Sequence, residues 1–69
     1  MKEIAALFDT VDSAEFALSN LQALGIDPLG YKMHRQHHDV TLRLTVEDAI
    51  SSRAQSALIS NHGRQVRLT

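Results

Sequence analysis

The sequence predicts an α+β domain laid out as a βαββαβ plait, an antiparallel sheet of strand order 4-1-3-2 with two helices on one face. Three observations point to it. The two halves of the chain carry the same punctuation, since Thr10-Val11-Asp12-Ser13-Ala14 opens one helix-like run closed by Gly25, and Thr45-Val46-Glu47-Asp48-Ala49 opens a second closed by Gly63. Each run lies between strand-like segments, so a strand, helix, strand unit is stated twice in 69 residues. Right-handed crossovers for both units interleave them and put strands one and three at the centre.

The first strand, residues 3–8, is apolar with no charge after Glu3, the pattern of a strand covered on both faces. Ile4, Ala6 and Phe8 face one side, Ala5 and Leu7 the other. Asp12 reads as the cap of the first helix, with Glu15 completing a capping box and Val11 and Phe16 forming a hydrophobic staple. Ala14, Ala17, Leu18, Leu21 and Leu24 recur at helical spacing until Gly25 supplies a left-handed cap. Asp27-Pro28 imposes a turn.

Strand two, residues 30–36, reads as an edge strand because Lys32, His34, Arg35 and Gln36 dilute its apolar pattern, with Tyr31 and Met33 directed at the helices. His37-His38-Asp39 makes the hairpin bend. Beyond it Val40, Leu42, Leu44 and Val46 alternate with Thr41, Arg43 and Thr45 in period two. The second helix, residues 47–62, sets Ile50, Ala54, Ala57, Leu58 and Asn61 on one stripe, with Ser51, Ser52, Arg53, Gln55 and Ser56 outside. Gly63 ends it, and residues 65–69 alternate as strand four.

A chain of this length forms a single domain, 1–69, and buries only about 60% of its unfolded surface. It has no cysteine, hence no disulfide and no thiolate zinc site, which leaves self-association as the remaining support. The opening residues lack the basic region and long apolar core of a signal peptide or membrane span, so the reading is a cytoplasmic protein with no membrane partner. A net charge of −1 gives no global pull toward nucleic acid or anionic lipid. Asp9, Asp12, Glu15, Glu47 and Asp48 gather at the helix starts, where they complement the dipole. Lys32, Arg35, Arg43, Arg64 and Arg67 fall instead in strands two, three and four.

The face away from the helices then shows Ala5 and Leu7 in the middle, Thr41, Arg43 and Thr45 beside them, and Lys32, His34, Gln36, Gln65 and Arg67 toward the edges. An apolar centre with a mixed basic rim fits a homodimer interface at Ala5, Leu7 and Thr41, with Lys32, His34, Arg43 and Arg67 placed to contact a protein partner or a small anionic ligand. The plain alternative is a solvated sheet face. Plaits that bind single-stranded RNA stack bases on aromatic residues of the central strands. Here the outward positions carry none, and Phe8, Phe16 and Tyr31 read as core, so nucleic acid is disfavoured.

A second reading is a metal site. His34-x-x-His37-His38-Asp39 sets three imidazoles and a carboxylate within six residues, and His34, His37 and His38 suit zinc, copper or nickel. Against it, adjacent strand residues point to opposite faces, and solvated turn histidines explain the same pattern. His62, read in the last turn of the second helix, complements the helix C-terminus. A third reading, a small enzyme, finds little support. Most serines fall on helix exteriors or caps, Asp9, Asp12 and Glu15 sit at a helix start, and the isolated glycines form no phosphate loop. No cofactor is expected.

The crossover geometry is that of the ferredoxin-like plait. Residues 5–18, from Ala5-Ala6-Leu7-Phe8-Asp9 through Ala17-Leu18, with Leu24-Gly25-Ile26 beyond, resemble the opening of small bacterial modules found in heat-induced and general stress proteins. In layout the chain also resembles an ACT-type regulatory domain, which commonly pairs with copies of itself and binds small effectors near the first strand-to-helix loop. That resemblance implies a homodimeric regulatory module of a bacterial cytoplasm. Phe8-Asp9-Thr10-Val11-Asp12 lacks the glycine that admits an effector to the backbone, and lacks the cysteine pair of metal-chaperone plaits.

Overall fold

A computed structural model describes residues 1–68. The elements are β1 (Lys2–Phe8), α1 (Val11–Ala23), β2 (Gly30–Arg35), β3 (Val40–Val46), a 3-10 turn (Asp48–Ile50), α2 (Ser51–Ser60) and β4 (Arg64–Leu68). Thr69, expected to end strand four, lies outside the described residues. One sheet holds all four strands in the order β2-β3-β1-β4, every pairing antiparallel, which is the expected order read from the other edge.

The alternation of β3 does what its period requires: Val40, Leu42, Leu44 and Val46 are buried while Thr41, Arg43 and Thr45 are not. They join Ile4, Ala6 and Phe8 of β1, Ala14, Ala17, Leu18 and Leu21 of α1, and Ala54, Ala57 and Leu58 of α2 in one apolar cluster. Both helices therefore cover the same face of the sheet. Between them Asn20 donates through Nδ2 to Asn61 Oδ1 at 2.6 Å, and Asn61 Nδ2 donates to the Ala57 carbonyl at 2.8 Å, so a half-buried polar bridge is satisfied on both sides. The other side of β1 is not covered: Ala5 and Leu7 are half-buried, which corrects the expectation of a strand enclosed on both faces.

The helix ends differ from expectation by a residue or two. The cap of α1 is Thr10, extended at φ −138°, with Oγ1 accepting from the Ser13 amide at 3.0 Å. Asp12 lies within the first turn, where its charge favours the helix dipole. With the cap two residues earlier, Val11 and Phe16 are not staple positions, and Phe16 is 65% exposed. At the other end Gly25 takes φ +82°, Ile26 N–H bonds the Leu21 carbonyl at 2.9 Å and Gly25 N–H the Gln22 carbonyl at 3.0 Å. Leu24, counted in the apolar stripe, is the exposed C-cap, and Ile26 is buried in its stead.

The second crossover begins with the 3-10 turn, and Ser51 is buried rather than outward, its Oγ donating to the Asp48 carbonyl at 2.9 Å. At the end of α2 the left-handed residue is His62, φ +68°, one place before Gly63. His62 thus stands beyond the last turn rather than within it. Gly63 is needed for room, because a Cβ there would sit 2.7 Å from the Leu58 carbonyl oxygen and 3.3 Å from the Phe8 ring. Its N–H donates to that same carbonyl at 2.8 Å. Tyr31 stands opposite Leu44, on the helix side as expected, yet is 56% exposed because the helices do not extend over the β2 edge; Met33, opposite Leu42, does pack on the core.

Replacing His62 by glycine relieves a left-handed side-chain residue and should stabilise the fold by roughly 0.5–1 kcal/mol, whereas Gly63→Ala should destabilise it by about 1–3 kcal/mol, both read from urea unfolding. The Met1 ammonium lies 2.9 Å from Asp48 Oδ1 and, with its hydrogen bond and charge, holds that carboxyl below the usual carboxylate range. A lowered native pKa contributes stability above the unfolded value that is lost as pH falls through the native one. A carboxyl NMR titration should show the low midpoint for Asp48 and its return toward normal when the amine is acetylated.

Candidate functional site

The uncovered face of the sheet is ordered by register. Residues directly opposite each other on neighbouring strands emerge on one side. Lys32 stands opposite Arg43, Arg43 opposite Ala5, and Ala5 opposite Arg67, so these four form a row across all four strands. The next row toward the β2–β3 hairpin is His34, Thr41, Leu7 and Arg64; the row on the other side holds Gly30, Thr45 and Glu3. All seven residues expected to form the interface and its basic rim, Ala5, Leu7, Thr41, Lys32, His34, Arg43 and Arg67, therefore share one face.

A bulge in β4 makes the last column possible. From Ala5 to Leu7 is two residues on β1, while their partners Arg67 and Arg64 are three apart, and Gln65 within that extra step takes φ +50°. In a regular strand Arg64 and Arg67 would point to opposite faces. Here both stand opposite outward residues of β1. The expectation of unbroken alternation from Gln65 onward missed this, and a lone Gln gives no sign of it.

Arg43 donates through Nη1 to Glu3 Oε1 at 3.2 Å. Lys32 and Arg67 have no ion pair among the described residues. Two shallow depressions flank the centre, about 170 Å³ bordered by Ala5, Leu7, Thr41, Gln65 and Arg67, and about 320 Å³ bordered by Lys32, His34, Thr41 and Arg43. They meet at Thr41.

Arg64 is engaged elsewhere. Its Nη2 lies 2.5 Å from Asp39 Oδ1 and 2.8 Å from Asp9 Oδ1, tying the start of β4 to the hairpin and to the turn before α1. The hydrogen bond to Asp39, then the charge of Asp9, holds the guanidinium still further toward its charged form. The three residues lie far apart in the sequence, so nothing local foretells their meeting.

The histidines divide. His34 lies in the paired part of β2 on the open face, whereas His37 and His38 occupy the exposed tip of a hairpin closed by Gln36 and Asp39, whose amides and carbonyls exchange bonds of 2.8 and 3.2 Å. The tip borders a polar cleft of about 470 Å³ with Asp9, Thr10, Asp12 and Arg35. Among the described residues no group of three or more His, Cys, Asp or Glu side chains is placed to hold a metal, so His34, His37 and His38 are not brought together as ligands. No helix among the described residues is long and apolar enough to cross a membrane.

No model of a known protein family matches the chain, and a search of curated proteins finds no relative.

Arg64→Ala should lower the melting temperature slightly, since both of its ion pairs are exposed, and the loss should shrink as salt is raised from low ionic strength to 1 M, where such pairs are screened.

Proposed function

We propose that this chain is a ferredoxin-like plait acting as a non-enzymatic regulatory or protein-interaction module of the bacterial cytoplasm, akin to ACT-type domains, that pairs with a second copy through its open sheet face. The observation that carries the reading is the half-buried pair Ala5 and Leu7 at the centre of the helix-free face, on a central strand and ringed by polar and basic side chains. An apolar centre with a polar rim is the anatomy of a modest interface. The strand order and the placement of both helices on one side support the plait. The size of the domain supports the pairing, because a core this small leaves little margin and burial of Ala5 and Leu7 against a second sheet would enlarge it.

The reading is tested by solution mass. Sedimentation equilibrium in a phosphate-buffered solution should give a dimer for the native chain and a monomer for Leu7→Asn, which removes the apolar centre without changing the charge, with dispersed amide NMR spectra for both. A Leu7→Asn protein whose mass equals that of the native dimer places the contact elsewhere and overturns the assignment of this face.

A further inference from the structure

We infer that pairing through the open face is anion-dependent: a multivalent oxyanion, phosphate- or carboxylate-based, held between Arg43 and Arg67 over Ala5, is what lets two copies meet. The inference rests on the face reading above. Among the described residues in the three rows of that face, Lys32, Arg43 and Arg67 are cationic and Glu3 is the one carboxylate, while Arg64 is occupied at the margin by Asp9 and Asp39. A two-fold contact presents the same patch to itself. Six cations would then gather against two copies of Glu3. Like charges brought together and desolvated oppose association.

Apolar burial is too small to override that opposition. Four strands about 4.8 Å apart and about six residues long at ~3.3 Å each give a face of roughly 400 Å², half of the ~800 Å² per partner in a standard interface. Its apolar part is Ala5 and Leu7. A dimer resting on so little is decided by its charges.

The geometry supplies the remedy. Arg43 and Arg67 stand directly opposite Ala5, one on each side, so two long side chains straddle a methyl group. A guanidinium presents a fork of donors that matches phosphate and carboxylate oxygens. Arg43 directs Nη1 to Glu3 and keeps further N–H groups. The Thr41 hydroxyl and Gln65 amide border the depression beside Ala5 and add donors, and Lys32, opposite Arg43, adds charge. An anion of two or more charges can engage the arginines of both copies, which chloride cannot. Binding only across the paired faces shifts the equilibrium toward the dimer by linkage.

The test is sedimentation of the full chain at low ionic strength in chloride, against sodium pyrophosphate and against sodium citrate at matched ionic strength. The native chain should be monomeric in chloride and its dimer dissociation constant should tighten at least about tenfold with a multivalent anion. Pyrophosphate acting where citrate does not assigns the site to phosphate groups, and the reverse to carboxylates. The Lys32→Gln/Arg67→Gln double variant should dimerise in chloride alone and lose the anion response, because removing the charge replaces the ligand. A native chain equally dimeric in chloride and in both anions, yet monomeric as Leu7→Asn, overturns the anion dependence and leaves the face reading standing. A dimer indifferent to Leu7→Asn overturns the face itself. A folded double variant that stays monomeric in every solution, or a native chain that neither anion shifts, also overturns the inference.

Discussion

The structure depends on the two-sided pairing of β1. That strand is joined along its length to β3 and again to β4, and its alternation decides what lies on each side of the sheet. Ile4, Ala6 and Phe8 enter the core, and Ala5 and Leu7 are turned out with the partners that register assigns them. A slip of one residue would put Ala5 and Leu7 beneath the helices and bring three large or buried positions to solvent, so the apolar pattern specifies the register strongly. Each basic residue of the open face has its place through that same register. The candidate site is in this sense a consequence of the core, not an addition to it.

Phe8 shows how closely the ends of the elements are bound to that arrangement. Its ring lies fully inside and approaches the backbone at Gly63, where no side chain would fit. The turn after α2 must therefore close tightly, and it does so with His62 in a left-handed conformation that glycine would adopt at lower cost. Immediately afterwards β4 starts with Arg64 fastened to Asp39 and Asp9 and passes through its bulge at Gln65. Close packing, a strained turn and an irregular strand stand within four residues of each other, at the point where the second unit returns to the edge of β1.

Much of this was legible in the sequence where the signal is local and periodic. The alternation of β3 and the apolar face of β1 give the core, and the doubled strand, helix, strand pattern with right-handed crossovers gives the strand order. Strand order and alternation together are enough to gather Ala5, Leu7, Thr41, Lys32, His34, Arg43 and Arg67 on one face. What could not be read depends on one-residue phase or on distance. Thr10 and Asp12 are both good caps, and only the backbone selects between them. Phe16 and Tyr31 are apolar enough for a core but stand where nothing covers them, on the outside of α1 and on the β2 edge. Gly63 reads only as the end of the second helix, and the crowding at Leu58 and Phe8 shows that it is wanted for its missing side chain. The meeting of Arg64 with Asp9 and Asp39, and the bulge that turns it toward the open side, have no local trace at all.

An open face built in this way answers two opposed requirements. A wholly apolar helix-free side on a four-stranded sheet would be sticky toward every other sheet in its surroundings, while a wholly charged one would associate with nothing. Ala5 is small, Leu7 is half-buried, and Lys32, Arg43 and Arg67 surround them with one sign of charge. In the proposed pairing, short-range attraction at the centre would be set against longer-range repulsion from the rim, and the attraction would be the weaker because the apolar area is small. In such a balance the deciding quantity is not the protein's own shape but what neutralises the rim. Under the proposal made above, any agent that does so, a bound oxyanion foremost, would act on the association directly and without a change of fold.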